Sequence, residues 1–164
     1  MSETRWLNET EMRAWTGFLE TTDRIHRLVE LQLREAGGLT MVQYEILHWT
    51  NERSAEPVCM TELVELMIGS RSGLSYQVSQ LEKAGLVRRG PSPDDERRVL
   101  VTITDEGRRI LEKAAPGHVQ TVREGLIDML TPEQIEQLAE IMEVTRDHLR
   151  SAVQLTPRHK RNTR

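Results

Sequence analysis

The sequence predicts a mainly α-helical protein with one small β-hairpin, and three observations predict it. Leu, Glu, Arg and Met are abundant whereas aromatics make up only 4% of the 164 residues, a balance that favours helices over a β-sandwich. Most of the chain repeats its apolar residues at steps of three and four, the period of an amphipathic helix. One stretch alternates instead: Val99, Val101 and Ile103 are separated by Leu100 and Thr102, which suits a strand.

The first helix is expected from Trp15. Trp15, Phe18, Thr22, Ile25, Val29 and Gln32 form a stripe that Leu19, Leu28 and Leu33 widen, and Gly37-Gly38 stops it. Thr40 then offers a hydroxyl as N-cap, with Gln43 three residues on in a capping-box pattern. The helix that follows carries Met41, Val42, Tyr44, Ile46, Leu47 and Trp49, is apolar almost all round, and is expected to be buried. After a polar loop from Asn51 to Pro57, Thr61 is expected to cap a short helix with Leu63, Leu66 and Met67 facing inward and Gly69-Ser70 at its end.

A further helix is expected over 71–84. Leu74, Val78 and Leu81 recur at i, i+4 and i+7, and Gly85 stands where a left-handed C-cap belongs. Its opposite face, with Ser72, Ser75, Tyr76, Ser79, Gln80 and Lys83, is polar and contains no acid. Leu86 to Arg89 supply an antiparallel partner for the strand at 99–103, so the stretch GLVRRGPSPDDERRVLVTIT becomes a hairpin with a long charged tip. Thr104 caps the next helix, with Asp105 and Glu106 in its first turn; a kink is expected at Pro116 and an end near Leu130. Thr131-Pro132-Glu133-Gln134 combines N-cap, N1 proline and capping-box Gln. It opens a last helix with Ile135, Leu138, Met142, Thr145, Leu149 and Ala152 in heptad-like rhythm. The tail after Pro157, RHKRNTR, is basic and expected to be disordered.

Composition excludes several function classes. A net charge of -4 argues against attraction of nucleic acid or an anionic membrane to the whole surface, so any such binding must come from local patches. Cys59 is the only cysteine, which rules out an intrachain disulfide and a thiolate zinc site within one chain, and fits a reducing compartment. No run of about 18 apolar residues exists and the amino terminus lacks a leader pattern, so a soluble, cytoplasmic protein without membrane contact is expected. His26, His48, His118, His148 and His159 show no paired spacing, which disfavours a metal sensor while leaving clustering across helices open; no cofactor is expected. There is no nucleophile elbow, phosphate-cradling glycine loop or HExxH, so the chain is not expected to be an enzyme.

A short helix, a tight turn and a polar-faced helix make a helix-turn-helix, and a hairpin directly after it makes the winged version. Three segments, TMVQYEIL, MTELVELMIGSRSGLSYQVSQLEKAGLVRR and PDDERRVLVTITDEG, resemble in order those of the MarR family of winged helix-turn-helix regulators. The resemblance covers roughly residues 10 to 153. Its most specific piece is the wing pattern Asp-x-Arg, followed by an alternating strand and a Thr-x-x-Gly helix start, matched by Asp95, Arg97, Thr104 and Gly107. The fold class it implies is mainly α with a small β-hairpin wing. An N-terminal dimerisation helix (1–36) would precede a DNA-binding lobe (37–104), C-terminal dimerisation helices (105–153) and the basic tail (154–164).

A hairpin tip is slim enough to enter a minor groove about 6 Å wide, where a guanidinium meets concentrated negative potential. By position Arg97 is the family's minor-groove arginine, and Asp95 can hold it in a bidentate pair so that less side-chain entropy is lost on binding. Arg98 is counted with it. Asp94 and Glu96 depart from an all-basic finger without an assigned role. Ser72, Ser75, Tyr76, Ser79 and Gln80 are expected against the major groove with Arg71 near a phosphate, Gln being able to bond adenine bidentately. Any solvent-facing helix side is polar; the flanking turn and wing are what point this one at a groove. Tyr76 stands where the family often has arginine or another polar residue, so no base preference carries over. Arg88 and Arg89 are expected to reach phosphate or brace the wing.

The stripes of the first and last two helices exceed what one small chain covers, unless they pack only on one another. The resemblance implies a homodimer across a two-fold axis, which suits a pseudo-palindromic site on double-stranded DNA. It also implies a repressor released by a small, often aromatic or anionic effector. Trp15, Tyr44, His48 and Trp49 are candidates to line that site or, alternatively, are core. Cys59 lies outside the first helix, where peroxide-sensing members keep their reactive cysteine, so a small half-buried residue is expected there. The rival function is a winged-helix protein-interaction module that does not touch DNA, which the acidic net charge supports.

Overall fold

A computed structural model of the chain describes residues 4–67, 73–92, 95 and 98–155, with backbone alone over 151–155. Its elements are α1 (Glu9–Gly37), α2 (Met41–Glu52), β1 (Val58–Cys59), α3 (Met60–Leu66), α4 (Leu74–Lys83), β2 (Val87–Pro91), β3 (Val99–Ile103), α5 (Asp105–Gly125), a 3-10 turn (Ile127–Met129) and α6 (Pro132–Leu155). The fold is mostly helical with one small antiparallel sheet, in the class the sequence predicts.

Local chemistry accounts for most boundaries. α1 begins six residues before the expected Trp15, because Asn8 and Glu11 form a capping box: the Asn8 Oδ1 accepts the Glu11 N–H at 2.9 Å and the Glu11 carboxylate accepts the Asn8 N–H at 2.8 Å. It ends where expected, on Gly38 in the left-handed conformation at φ 68°. Thr40 and Gln43 make the reciprocal box that opens α2, and α2 continues through Glu52 into the stretch expected as loop. Thr131 and Gln134 do the same for α6. The expected cap at Thr61 is displaced: α3 starts at Met60, behind Cys59, whose backbone N–H is accepted by the Glu62 carboxylate at 2.9 Å. Here the helix follows a strand, and Cys59 must finish the strand's pairing before the chain turns.

That strand is the main departure from the two-stranded hairpin the sequence suggests. β1 is two residues long and pairs antiparallel with β3, Val58 opposite Val101 and Cys59 opposite Leu100. β2 pairs with the other edge of β3, from Val87 opposite Ile103 to Pro91 opposite Val99. The sheet order is therefore β1-β3-β2. Pro91 is tolerated because it sits at the end of an edge strand, where no ladder donor is needed.

α4 begins at Leu74 rather than residue 71 and ends as expected, with Gly85 at φ 74°. α5 runs through Pro116 and stops at Gly125, short of the expected Leu130, where the 3-10 turn takes over. The segments expected at Gly69-Ser70 and after Pro157 lie outside the described residues.

The chain divides into two compact units, Met1–Arg123 and Glu124–Arg164. In the first, Leu33, Ile46, Leu47, Leu63, Val78 and Val101 are fully buried and draw α1, α2, α3, α4 and β3 onto one core. α2 is its centre, as its apolar sequence predicts. In the second, α6 turns Ile135 and Leu138 partly inward but leaves Ile141, Val144 and Leu149 exposed. No helix among the described residues is long and apolar enough to cross a membrane.

Candidate nucleic-acid interface

α3 and α4 each bury one face in the same core. Leu63 anchors α3, while Leu74, Val78 and Leu81 bury the inner face of α4. The i, i+4, i+7 spacing that buries those three forces Ser75, Tyr76, Ser79 and Gln80 to the outside. Ser75 and Tyr76 are exposed, Tyr76 by 63%, and Ser79 and Gln80 are partly so. Serine hydroxyls donate and accept, a glutamine amide does both at once, and a tyrosine offers a ring with one hydroxyl. That set can read base edges without presenting a carboxylate to them.

The hairpin follows α4 after a three-residue turn, and two contacts set it there. Leu86 N–H donates to the Leu81 carbonyl at 2.9 Å, closing the helix end. The Arg89 guanidinium reaches back to Glu82 on α4, with Nε 2.8 Å from the carboxylate, and the Arg89 N–H donates to the same side chain at 3.1 Å. The Arg89 bond is the leading reason that the Glu82 carboxyl sits below its ordinary range. On the other side of the hairpin, just before β3, Arg98 donates to the Glu62 carboxylate of α3 at 3.1 Å and lies 3.3 Å from the Cys59 sulfur. Glu62 is held below its ordinary range first by the Cys59 backbone N–H and also by Arg98.

The predicted DNA-facing residues thus separate into groups. Ser75, Tyr76, Ser79 and Gln80 lie on one outer helix face. Arg88 is exposed with no ion-pair partner among the described residues. Arg89 and Arg98 are both engaged by carboxylates. Asp95 is exposed at the hairpin tip, where its carbonyl accepts the Arg98 N–H at 2.9 Å. Arg71, Ser72 and Arg97 lie outside the described residues, and the expected Asp95–Arg97 pair with them. Sequence reasoning missed the two carboxylates. Glu62 carried a readable signal, three residues after a helix-start position, but cysteine is not a residue that announces an N-cap.

The four effector candidates do not form one group. Tyr44 is buried and stands 6.5 Å from His48, whose ring meets Trp49 edge-on at 5.1 Å. His118 of α5 comes closest to Tyr44, at 4.7 Å between ring centres; it is 74 positions away in sequence, and no spacing rule points to it. Burial raises the Tyr44 hydroxyl above its ordinary pKa and, with His48 adding to it, lowers the His118 imidazole. The His118 Nδ1 is buried without a hydrogen-bond partner. Trp15 instead stacks on Phe18 at 6.3 Å and is half exposed on α1. A hollow of about 630 Å³ between α1 and the start of α2 is lined by Arg27, Glu30, Arg34, Met41 and Val42 among others, and by none of the four candidates. Among the described residues no group of three or more histidine, cysteine or acidic side chains could hold a metal.

Comparison with known proteins places this arrangement. Residues 37–98, from the turn before α2 to the hairpin neck, match the model of the MarR family. A MarR family transcriptional regulator from Streptomyces coelicolor, Sco3205, solved in complex with DNA, superposes with a TM-score of 0.85 at 38% identity, over 91% of this chain and 93% of that one. AbsC, a second MarR family regulator of that organism, gives 0.84 at 36% identity, over 90% and 99%. The regulator PecS of Dickeya dadantii is 26% identical over 148 residues, 88% of this chain and 82% of its own.

Proposed function

Because this chain belongs to the MarR family of transcriptional regulators, we propose that it binds a pseudo-palindromic operator in double-stranded DNA as a homodimer. In this reading the α4 face of Ser75, Tyr76, Ser79 and Gln80 enters the major groove, with Arg71 and Ser72 just before it. Arg97, aimed by Asp95, enters the minor groove, and Arg88 lies along the backbone. The chain is a regulator and not an enzyme, as are the relatives it matches. The observation that carries the reading is the acid-free outer face of α4 beside a hairpin, on a chain whose net charge is -4. Where the net charge is unfavourable to DNA, a local edge must supply the attraction.

Repression, release by a small aromatic or anionic effector, and a cytoplasmic location belong to the same reading. Tyr44, His48 and Trp49, joined by His118, offer polar handles inside an apolar wall, the chemistry such a ligand needs.

Footprinting on the DNA flanking the gene tests the reading. Protection of two half-sites about one helical turn apart is expected, lost on adding an aromatic acid that the protein recognises. No protection, together with binding insensitive to salt, would instead favour a protein-interaction module.

A further inference from the structure

Arg98 occupies the neck of the hairpin. Its backbone N–H donates to the Asp95 carbonyl and its carbonyl accepts the Ser92 N–H, both at 2.9 Å, so the two sides of the tip meet at this residue. Its side chain turns away from the tip and crosses to α3, 36 positions earlier in sequence, where Glu62 Oε1 accepts at 3.1 Å. The other oxygen of the same carboxylate accepts the Cys59 N–H at 2.9 Å, fixing Glu62 to the start of the helix, and Cys59 is itself paired to Leu100 of β3. One carboxylate thereby links the first residue of the helix pair to the root of the hairpin. On the other strand Arg89 ties β2 to Glu82 of α4.

We propose that Glu62 and Arg98 are positioning residues for DNA recognition: they hold the hairpin neck against the start of α3, and so fix the hairpin relative to the helix pair whose second member, α4, reads the major groove. The inference rests on the DNA-binding reading above. Both side chains are about half exposed, 48% for Glu62 and 49% for Arg98, and an exposed pair contributes little to stability. Its value is geometric. Two elements that must enter adjacent grooves together bind well only if their relative placement is set before binding, because ordering them on the DNA costs affinity. A carboxylate near DNA repels phosphate, so Glu62 beside Arg98 carries an electrostatic cost that a direct phosphate-binding role for Arg98 would not explain.

The two roles predict effects of opposite sign, which makes the test direct. Affinities of the full chain are measured by fluorescence anisotropy for the footprinted DNA and for an unrelated duplex, over several salt concentrations. Glu62→Gln keeps an oxygen to cap α3 but removes the charge. Positioning predicts that it weakens specific binding about tenfold, the size of one lost contact, leaves binding to the unrelated duplex equal or tighter, and keeps the salt slope. Arg98→Gln, which leaves the α3 cap untouched, is expected to do the same, and the double variant to be no worse than either single one, as coupled residues require. Thermal midpoints close to wild type show that the fold is intact.

If Glu62→Gln tightens specific binding while Arg98→Gln lowers the salt slope by about two, one contact from each subunit of the dimer, Arg98 is a direct phosphate ligand and the proposal is overturned. Unchanged specific affinity in both single variants overturns it as well. A wild-type chain that binds neither duplex would be the distinct failure of the DNA-binding reading itself, and would take this inference with it.

Discussion

The Thr104 hydroxyl donates to the Gly85 carbonyl over 2.7 Å while accepting the Gly107 N–H at 3.0 Å. One side chain therefore joins the turn that ends α4 to the first turn of α5, with the whole hairpin looped between. The Thr104 N–H completes the junction by donating to the Leu86 carbonyl at 3.0 Å. Removing the hydroxyl in Thr104→Val loses a cap and a cross-element bond, and is expected to cost about 2 kcal/mol in urea unfolding. A variant as stable as wild type would show that water replaces both bonds.

Gly107 is the companion of that threonine. A Cβ there would lie 2.2 Å from the Leu86 carbonyl oxygen and 2.8 Å from Ile103 Cγ1, and backbone cannot swing aside as a side-chain end can. Gly107→Ala is expected to cost about 3 kcal/mol, the upper end for overpacking, measured by the same unfolding curves. A loss under half of that would mean α5 slides without penalty.

Salt dependence separates the arginines. With Arg89 and Arg98 held by Glu82 and Glu62, the candidates for phosphate contact are Arg71, Arg88 and Arg97. These make about six neighbourhoods in a dimer, so log affinity is expected to fall against log salt with a slope near -5. Arg97→Ala should flatten that slope and cost about 1 to 3 kcal/mol of binding without lowering the thermal midpoint, and Asp95→Ala should mimic it more weakly. Tyr76→Ala, on the exposed face of α4, should relax sequence preference and leave the slope nearly intact. Equal affinity of the Arg97 variant at matched salt would remove the wing from the interface.

His118 makes stability depend on pH. Burial first, and the charge of His48 second, hold its imidazole below the ordinary value of 6.5. As pH falls through that value the unfolded chain takes up a proton before the folded one does. Stability is therefore full above about pH 6.5 and declines on acidification until the folded-state pKa is passed. Glu62, Glu82 and Glu133, whose pKa values are lowered, lose stability only below about 4.5, a separate window. Urea unfolding at steps from about pH 8 to about pH 5 should show the histidine slope in wild type and its loss in His118→Gln. An identical slope in both would assign it to another group.

α1 and α6 each leave large apolar side chains in solvent: Trp15, Phe18, Leu28 and Leu31 on the first, Ile141, Val144 and Leu149 on the second. Side chains of this size exposed in series mark an interface. The full chain is expected to sediment as a dimer at about micromolar concentration, and a chain lacking residues 132–164 to be monomeric or insoluble. A truncated chain that stays dimeric and binds DNA would show α6 to be dispensable.

What the sequence determined by itself were features whose cause lies within a few residues, although two local caps, Asn8 with Glu11 and Cys59 with Glu62, went unread. Thr40 with Gln43 and Thr131 with Gln134 open helices because side chain and backbone three residues apart must meet. Gly85 ends α4 because a left-handed residue is needed there, and Val99 to Ile103 forms a strand because alternation buries Val101 and Ile103 together. The polar face of α4 was legible for the same reason, since burying Leu74, Val78 and Leu81 decides where Ser75 and Tyr76 go. Tertiary structure alone decided what depends on partners far along the chain. β1 is two residues with no period of its own, and exists only because β3, some 40 positions later, supplies its hydrogen bonds. Glu62 meets Arg98 through that sheet, and Glu82 meets Arg89 because the hairpin folds back on α4. Tyr44 found His118 and not Trp15, because α1 holds Trp15 in an exposed stack with Phe18 while α5 brings the imidazole against α2. Hydrogen-bond spacing and helical period act locally and are written in order; the choice among distant partners is made by which faces the core can bury at once.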